Sequence, residues 1–128
     1  MLFTVINIEK ENGAVYVTGS TSIGYIKGLW KDEEMPENGK KYPIELQFPV
    51  VEREAVVPST SDIGTKILGD KTSFCCECVD FDTVYYLRLS VDGTAMLDVS
   101  KEDPPIEKGQ CISFSLPFEM VCIYPVRI

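Results

Sequence analysis

The sequence has 128 residues, is 45% apolar, and sets twelve Lys and Arg against twenty Asp and Glu for a formal net charge of -8. This predicts one domain, residues 1–128, able to bury a core without disulfide or metal staples, and excludes a disordered chain. The acidity repels phosphate backbones and anionic lipid while attracting a basic partner, although it also serves simple solubility.

Taken in order, residues 2–9 read as a first strand rather than a signal peptide, because MLFTVINIEK has no basic start and no small-residue cleavage site. Asn12-Gly13 turns the chain into a second strand over 14–18, and 19–22 reads as a loop. Residues 23–30, IGYIKGLW, are β-formers interrupted by Gly24 and Gly28, as at a bulge or barrel corner. Residues 31–41, KDEEMPENGKK, form a charged loop. Strict alternation returns over 42–48, with Ile44, Leu46 and Phe48 on one face, and the flanking Pro43 and Pro49 favour an edge position or strand ends.

Over 50–71 the pattern is weak. Ser61-Asp62 as a cap, Ile63 and Ile67 one helical turn apart, and Gly69 as a stop predict one short helix at 61–68. Strand composition resumes at 72–81. Residues 83–100, TVYYLRLSVDGTAMLDVS, then read as the central hairpin around Asp92-Gly93. A three-residue loop, Val91-Asp92-Gly93, sets Tyr85, Leu87 and Leu89 beside Val99, Leu97 and Ala95 on one apolar face. Tyr86, Arg88, Met96 and Asp98 share the other. After a second charged loop at 101–110, stiffened by Pro104-Pro105, come strands at 111–116 and 120–126 broken by Pro117. About eight short strands between turn signals predict an all-β antiparallel barrel, OB-like, or a sandwich.

The chemistry-bearing residues are sparse. Five cysteines are an odd count, and alternation puts Cys76 and Cys78 opposite Cys75, so the thiols do not converge as tetrahedral zinc requires. They read as reduced thiols in a cytoplasmic protein. With no histidine in the chain, Ser-His-Asp, Cys-His and His-metal chemistry are excluded. No glycine loop matches a phosphate cradle, and Glu77, Asp80 and Asp82 read as turn and surface carboxylates. Tyr16, Tyr25, Trp30, Tyr85 and Tyr86 could stack bases, but the chain lacks the basic groove that single strands need. The expectation is therefore a non-enzyme with no cofactor and no metal, which binds neither nucleic acid nor membrane.

One further constellation stands out: Trp30 beside Asp32, Glu33, Glu34 and Glu37. An aromatic anchor ringed by acids suits the docking of a basic protein, and a core Trp followed by a solvated loop is the plainer alternative. The face of Tyr86, Arg88 and Asp98 is the second candidate surface.

Two resemblances accompany these readings. Gly109, Ile112, Phe114, Leu116, Pro117, Glu119 and Val121 resemble the last strands of small OB-like barrels, including the TOBE domains of transport ATPases. That resemblance implies nothing about function. The series GYIKGLW, acidic loop, Pro36, Gly39 and YPIEL, with the YYLRLSVDG hairpin, resembles small acidic β-rich immunity proteins of bacterial toxin-immunity loci. It implies a protein that binds and blocks a cognate toxin, often a basic nuclease. The alternative expectation for the chain as a whole is an OB-like ligand-binding or regulatory module.

Overall fold

The computed structural model describes residues 1–90, 93–100 and 104–126. Its strands are β1 (Leu2–Glu11), β2 (Ala14–Thr21), β3 (Gly24–Trp30), β4 (Lys41–Gln47), β5 (Val57–Pro58), β6 (Gly64–Leu68), β7 (Lys71–Asp82), β8 (Val84–Ser90), β9 (Gly93–Leu97), β10 (Cys111–Pro117) and β11 (Cys122–Pro125). Single 3₁₀ turns occupy Arg53–Ala55 and Phe118–Met120.

Five of these strands close a barrel. β1 pairs with β2 and β4, β2 pairs with β3, and β11 completes the ring by pairing antiparallel to β4 and parallel to β3. Alternation turns Phe3, Val5, Val17, Ile26, Ile44, Leu46 and Ile123 inward, and all are buried. A bulge after Val5 leaves Ile6 on the outside. Two inward glycines allow close approach. The Phe3 ring lies against Gly19, and at Gly28 the Val121 carbonyl comes in to accept the Leu29 amide at 2.8 Å.

The other strands form a sheet around β7. Its first half pairs with β6 on one edge and β10 on the other, and its second half pairs with β8, which pairs with β9. Phe74, Leu87, Leu97, Ile112 and Phe114 face the interior of this sheet and join the barrel side chains in one contiguous apolar cluster. From the end of β4, the chain runs to the rim of β9. There Val51 forms a parallel bridge with Val99.

The all-β, barrel-type architecture matches expectation, and several details differ. The helix predicted at 61–68 is instead β6, which turns at Gly69 (φ 61°) and pairs with β7. Ile63, Gly64 and Thr65 are poor helix formers, and a neighbouring strand edge outweighs one capping pair. The loop expected at 19–22 is strand as far as Thr21. β4 lies between β1 and β11 despite Pro43, which pairs with Leu2 and uses its carbonyl to accept the Val126 amide at 2.8 Å. The described strands number eleven, because 50–71, expected to hold only a short helix, contributes two.

In the hairpin the predicted faces are correct. Tyr85, Leu87, Leu89, Ala95, Leu97 and Val99 are buried, and Asp98 is exposed. The register is shifted by two residues, with Tyr85 opposite Leu97 and Leu87 opposite Ala95. Gly93 belongs to β9 and pairs with Ser90, so it is not part of the three-residue loop expected, whose other residues, Val91 and Asp92, lie outside the described residues.

Candidate functional site

One end of the barrel carries the first candidate surface. Trp30 closes β3 with its side chain inside, only 6% exposed, its ring edge-to-face with Tyr42 at 5.0 Å. Its indole N–H donates to the Glu34 carbonyl at 2.8 Å. The Tyr42 hydroxyl accepts the Glu37 amide at 3.0 Å. Val5 donates to Lys40 and accepts from Gly39. The charged loop is thereby tied over the barrel mouth, with Pro36 buried beneath it and Glu33, Glu34 and Glu37 exposed. Trp30 thus acts as the internal anchor of the loop, and Met35, 42% exposed, is the apolar side chain the loop offers to solvent. The loop's four carboxylates stand against Lys31, Lys40 and Lys41, and Lys40 reaches Glu37 at 3.6 Å.

The second surface is the outer face of β8 and β9. Tyr86 lies opposite Met96, and Arg88 opposite Thr94 on one side and Glu77 on the other. Arg88 donates to one Glu77 oxygen through Nε (2.9 Å) and Nη2 (2.6 Å), so its guanidinium is engaged within the sheet. Asp98 is exposed further along, and its carbonyl accepts the Val51 amide.

Two clefts connect these surfaces. The smaller, about 250 Å³, is lined by Trp30, Asp32, Glu34, Met35, Tyr42 and other residues of the barrel mouth. The larger, about 460 Å³, lies between β4 and β9, with Glu45, Tyr86, Thr94 and Met96 among its lining. Pro43 and Val126 line both. Residues far apart in sequence are therefore adjacent along one continuous surface. Its exposed apolar points are Met35 (42%), Val126 (38%) and Met96 (56%), and thioether side chains adapt readily to a partner's shape. Glu33, Glu37, Arg88 and Asp98 line neither cleft. Sequence reading missed Met35, Pro43, Glu45 and Val126, which become neighbours only when β4 is placed between β1 and β11.

The remaining groups have local explanations. Cys76 and Cys78 are buried and Cys75, Cys111 and Cys122 half-buried, all as free thiols. Burial first, and then the neighbouring Cys75, Cys111 and Cys78, push the Cys76 thiol up to about 12, and burial also raises Cys78. Asp80 accepts the Phe81 amide at 2.8 Å. Of the candidate stacking aromatics, Trp30 and Tyr85 are buried and Tyr25 is exposed on β3. Among the described residues, no group of three or more His, Cys, Asp or Glu is arranged to hold a metal ion, and no helix is long and apolar enough to cross a membrane. No family model, curated protein or solved structure matches this chain.

Proposed function

We propose that this chain is a non-enzymatic acidic binding protein, an immunity protein that neutralises a basic toxin domain by direct stoichiometric binding. The observation that carries the reading is the junction of the two clefts at Pro43 and Val126. It supports a single docking face on which Met35, Val126 and Met96 make the apolar contacts. The acidic loop beside them steers a cationic partner.

The test is titration calorimetry against the toxic domain of a basic nuclease encoded next to the gene, and a gene with no such neighbour counts against the reading. The expected result is a stoichiometric complex whose affinity falls about tenfold or more with added salt. Glu33→Lys combined with Met35→Ala weakens it, whereas Glu11→Lys at the β1–β2 turn does not. No complex at low ionic strength overturns the reading.

A second reading, an OB-like ligand-binding or regulatory module, draws support from the five-stranded closure, with β11 lying parallel to β3, and from a cleft of about 460 Å³. Binding of single-stranded oligonucleotides or small metabolites at low salt would favour it over the first, and its absence would remove it.

A further inference from the structure

The three asparagines of the chain are Asn7, Asn12 and Asn38, and a glycine follows each of the last two. Glycine carries no Cβ, so its amide nitrogen can approach the side-chain carbonyl carbon of the preceding Asn, and the fold gives the two Asn-Gly pairs different freedom to do so. At Asn38 the Gly39 amide donates to the carbonyl of the buried Val5 at 2.8 Å, and the Lys40 amide closes the turn on the Glu37 carbonyl at 3.2 Å. The Gly39 nitrogen is thus held in the loop that is tied over the barrel mouth. Asn7 lies inside β1 and precedes Ile8, whose branched side chain crowds its own nitrogen.

Asn12 is in the opposite situation. With Gly13 it forms the two-residue turn between Glu11 and Ala14, the two having positive φ (51° and 80°) and exposed side chains or backbone. Among the described residues neither the Gly13 amide nor the Asn12 side chain makes a hydrogen bond. No atom beyond its chain neighbours lies within 4 Å of the Cβ position of Gly13. β2 pairs with β3 only from Tyr16 onward, and the backbone of β1 beyond Val5 bonds to β2 alone among the described residues. The tip of this ribbon therefore has no third strand to steady it.

We propose that Asn12 is a site of spontaneous covalent modification, converted to aspartate and isoaspartate through a cyclic imide, while the fold spares Asn38. The Gly13 nitrogen, giving its proton to water, bonds to Cγ of Asn12, and the side-chain nitrogen leaves as ammonia. Water then adds to one imide carbonyl and breaks that carbon's bond to the Gly13 nitrogen. Cleavage at Cγ yields aspartate, and cleavage at the main-chain carbonyl yields isoaspartate, whose backbone is longer by one methylene. Water is consumed, ammonia is released and nothing is oxidised or reduced. Both products add a negative charge beside Glu11. The longer isoaspartyl backbone does not fit the two-residue turn, so it frays the hairpin from the Glu11–Ala14 pair. The proposal is independent of what the protein binds.

The test incubates the intact protein at mildly alkaline pH, folded and in urea, and follows the peptides holding Asn12 and Asn38 by mass spectrometry, with chromatographic separation of aspartate from isoaspartate. The expected result is conversion in the folded protein about tenfold or more faster at Asn12 than at Asn38, with the two rates within about twofold of each other in urea. No conversion at Asn12 in the folded protein, equal rates at the two sites there, or a faster Asn38 overturns the proposal. The same preference for Asn12 in urea also overturns it, because local sequence rather than the Gly39–Val5 bond would then set the order.

Discussion

The side chain of Thr72 on β7 grips the main chain of Lys27 on β3, its hydroxyl donating to the Lys27 carbonyl at 2.8 Å and accepting the Lys27 amide at 3.2 Å. It is fully buried and stands where the barrel meets the outer sheet, in place of a backbone ladder. Thr72→Val removes the hydroxyl and strands two part-buried backbone groups, so it is expected to cost about 2 kcal/mol in denaturant unfolding. Thr72→Ser keeps both bonds and loses one methyl, about 1 kcal/mol. Equal losses from the two variants would show that the hydroxyl is not the clamp.

Gly28 and Gly39 should respond differently to alanine. A Cβ on Gly28 would collide with the Val121 carbonyl oxygen, a backbone atom held by the Leu29 amide. Gly28→Ala is therefore expected to lower stability by about 3 kcal/mol, towards the upper end for overpacking. Gly39 has open space around its Cβ position but φ of 82°, so Gly39→Ala carries backbone strain of about 1–2 kcal/mol. Thermal melts of the two variants give the order.

Trp30, the single tryptophan, reports on the loop over the barrel mouth. Its emission should be blue-shifted and shielded from iodide in the free protein, since the ring is 6% exposed. Trp30→Phe removes the bond to Glu34 and should speed amide exchange across 31–37 with a stability loss of about 1–2 kcal/mol. A loop unchanged in exchange would show that the indole does not hold it.

The thiol of Cys76 sets an alkaline limit. Its pKa rises from 9.0 in the open chain to about 12 in the fold, so the folded state holds the proton more tightly. The associated stability is fully present below pH 9 and is lost between pH 9 and about 12, at up to about 1.4 kcal/mol per pH unit. Cys76→Ala loses stability at neutral pH through its cavity. Its deficit relative to the native chain should shrink above pH 9, as read by urea midpoints across that range.

Period-two alternation was enough to orient the hairpin faces, because Tyr85, Leu87 and Leu89 must be buried together whichever residues oppose them. Register was not legible for the same reason: a shift of two residues keeps every side chain on its face. The bulges in β1, β7 and β8 are unmarked in the sequence, and each resets the alternation locally. Asp32 and Tyr86 could be picked out singly. That they border clefts sharing Pro43 and Val126 depends on β4 and β9 approaching each other, which no local pattern encodes.

The parallel contact of β11 with β3 also bears on when the molecule can exist. β1 to β4 emerge from the ribosome well before β11, yet it is β11 that fills the gap between β3 and β4, after the strands of the outer sheet have been made. Until then Trp30 and Leu46 lack their partner Ile123, and two strand edges remain unpaired. Such late, long-range closure slows folding and keeps those edges exposed while the barrel is incomplete.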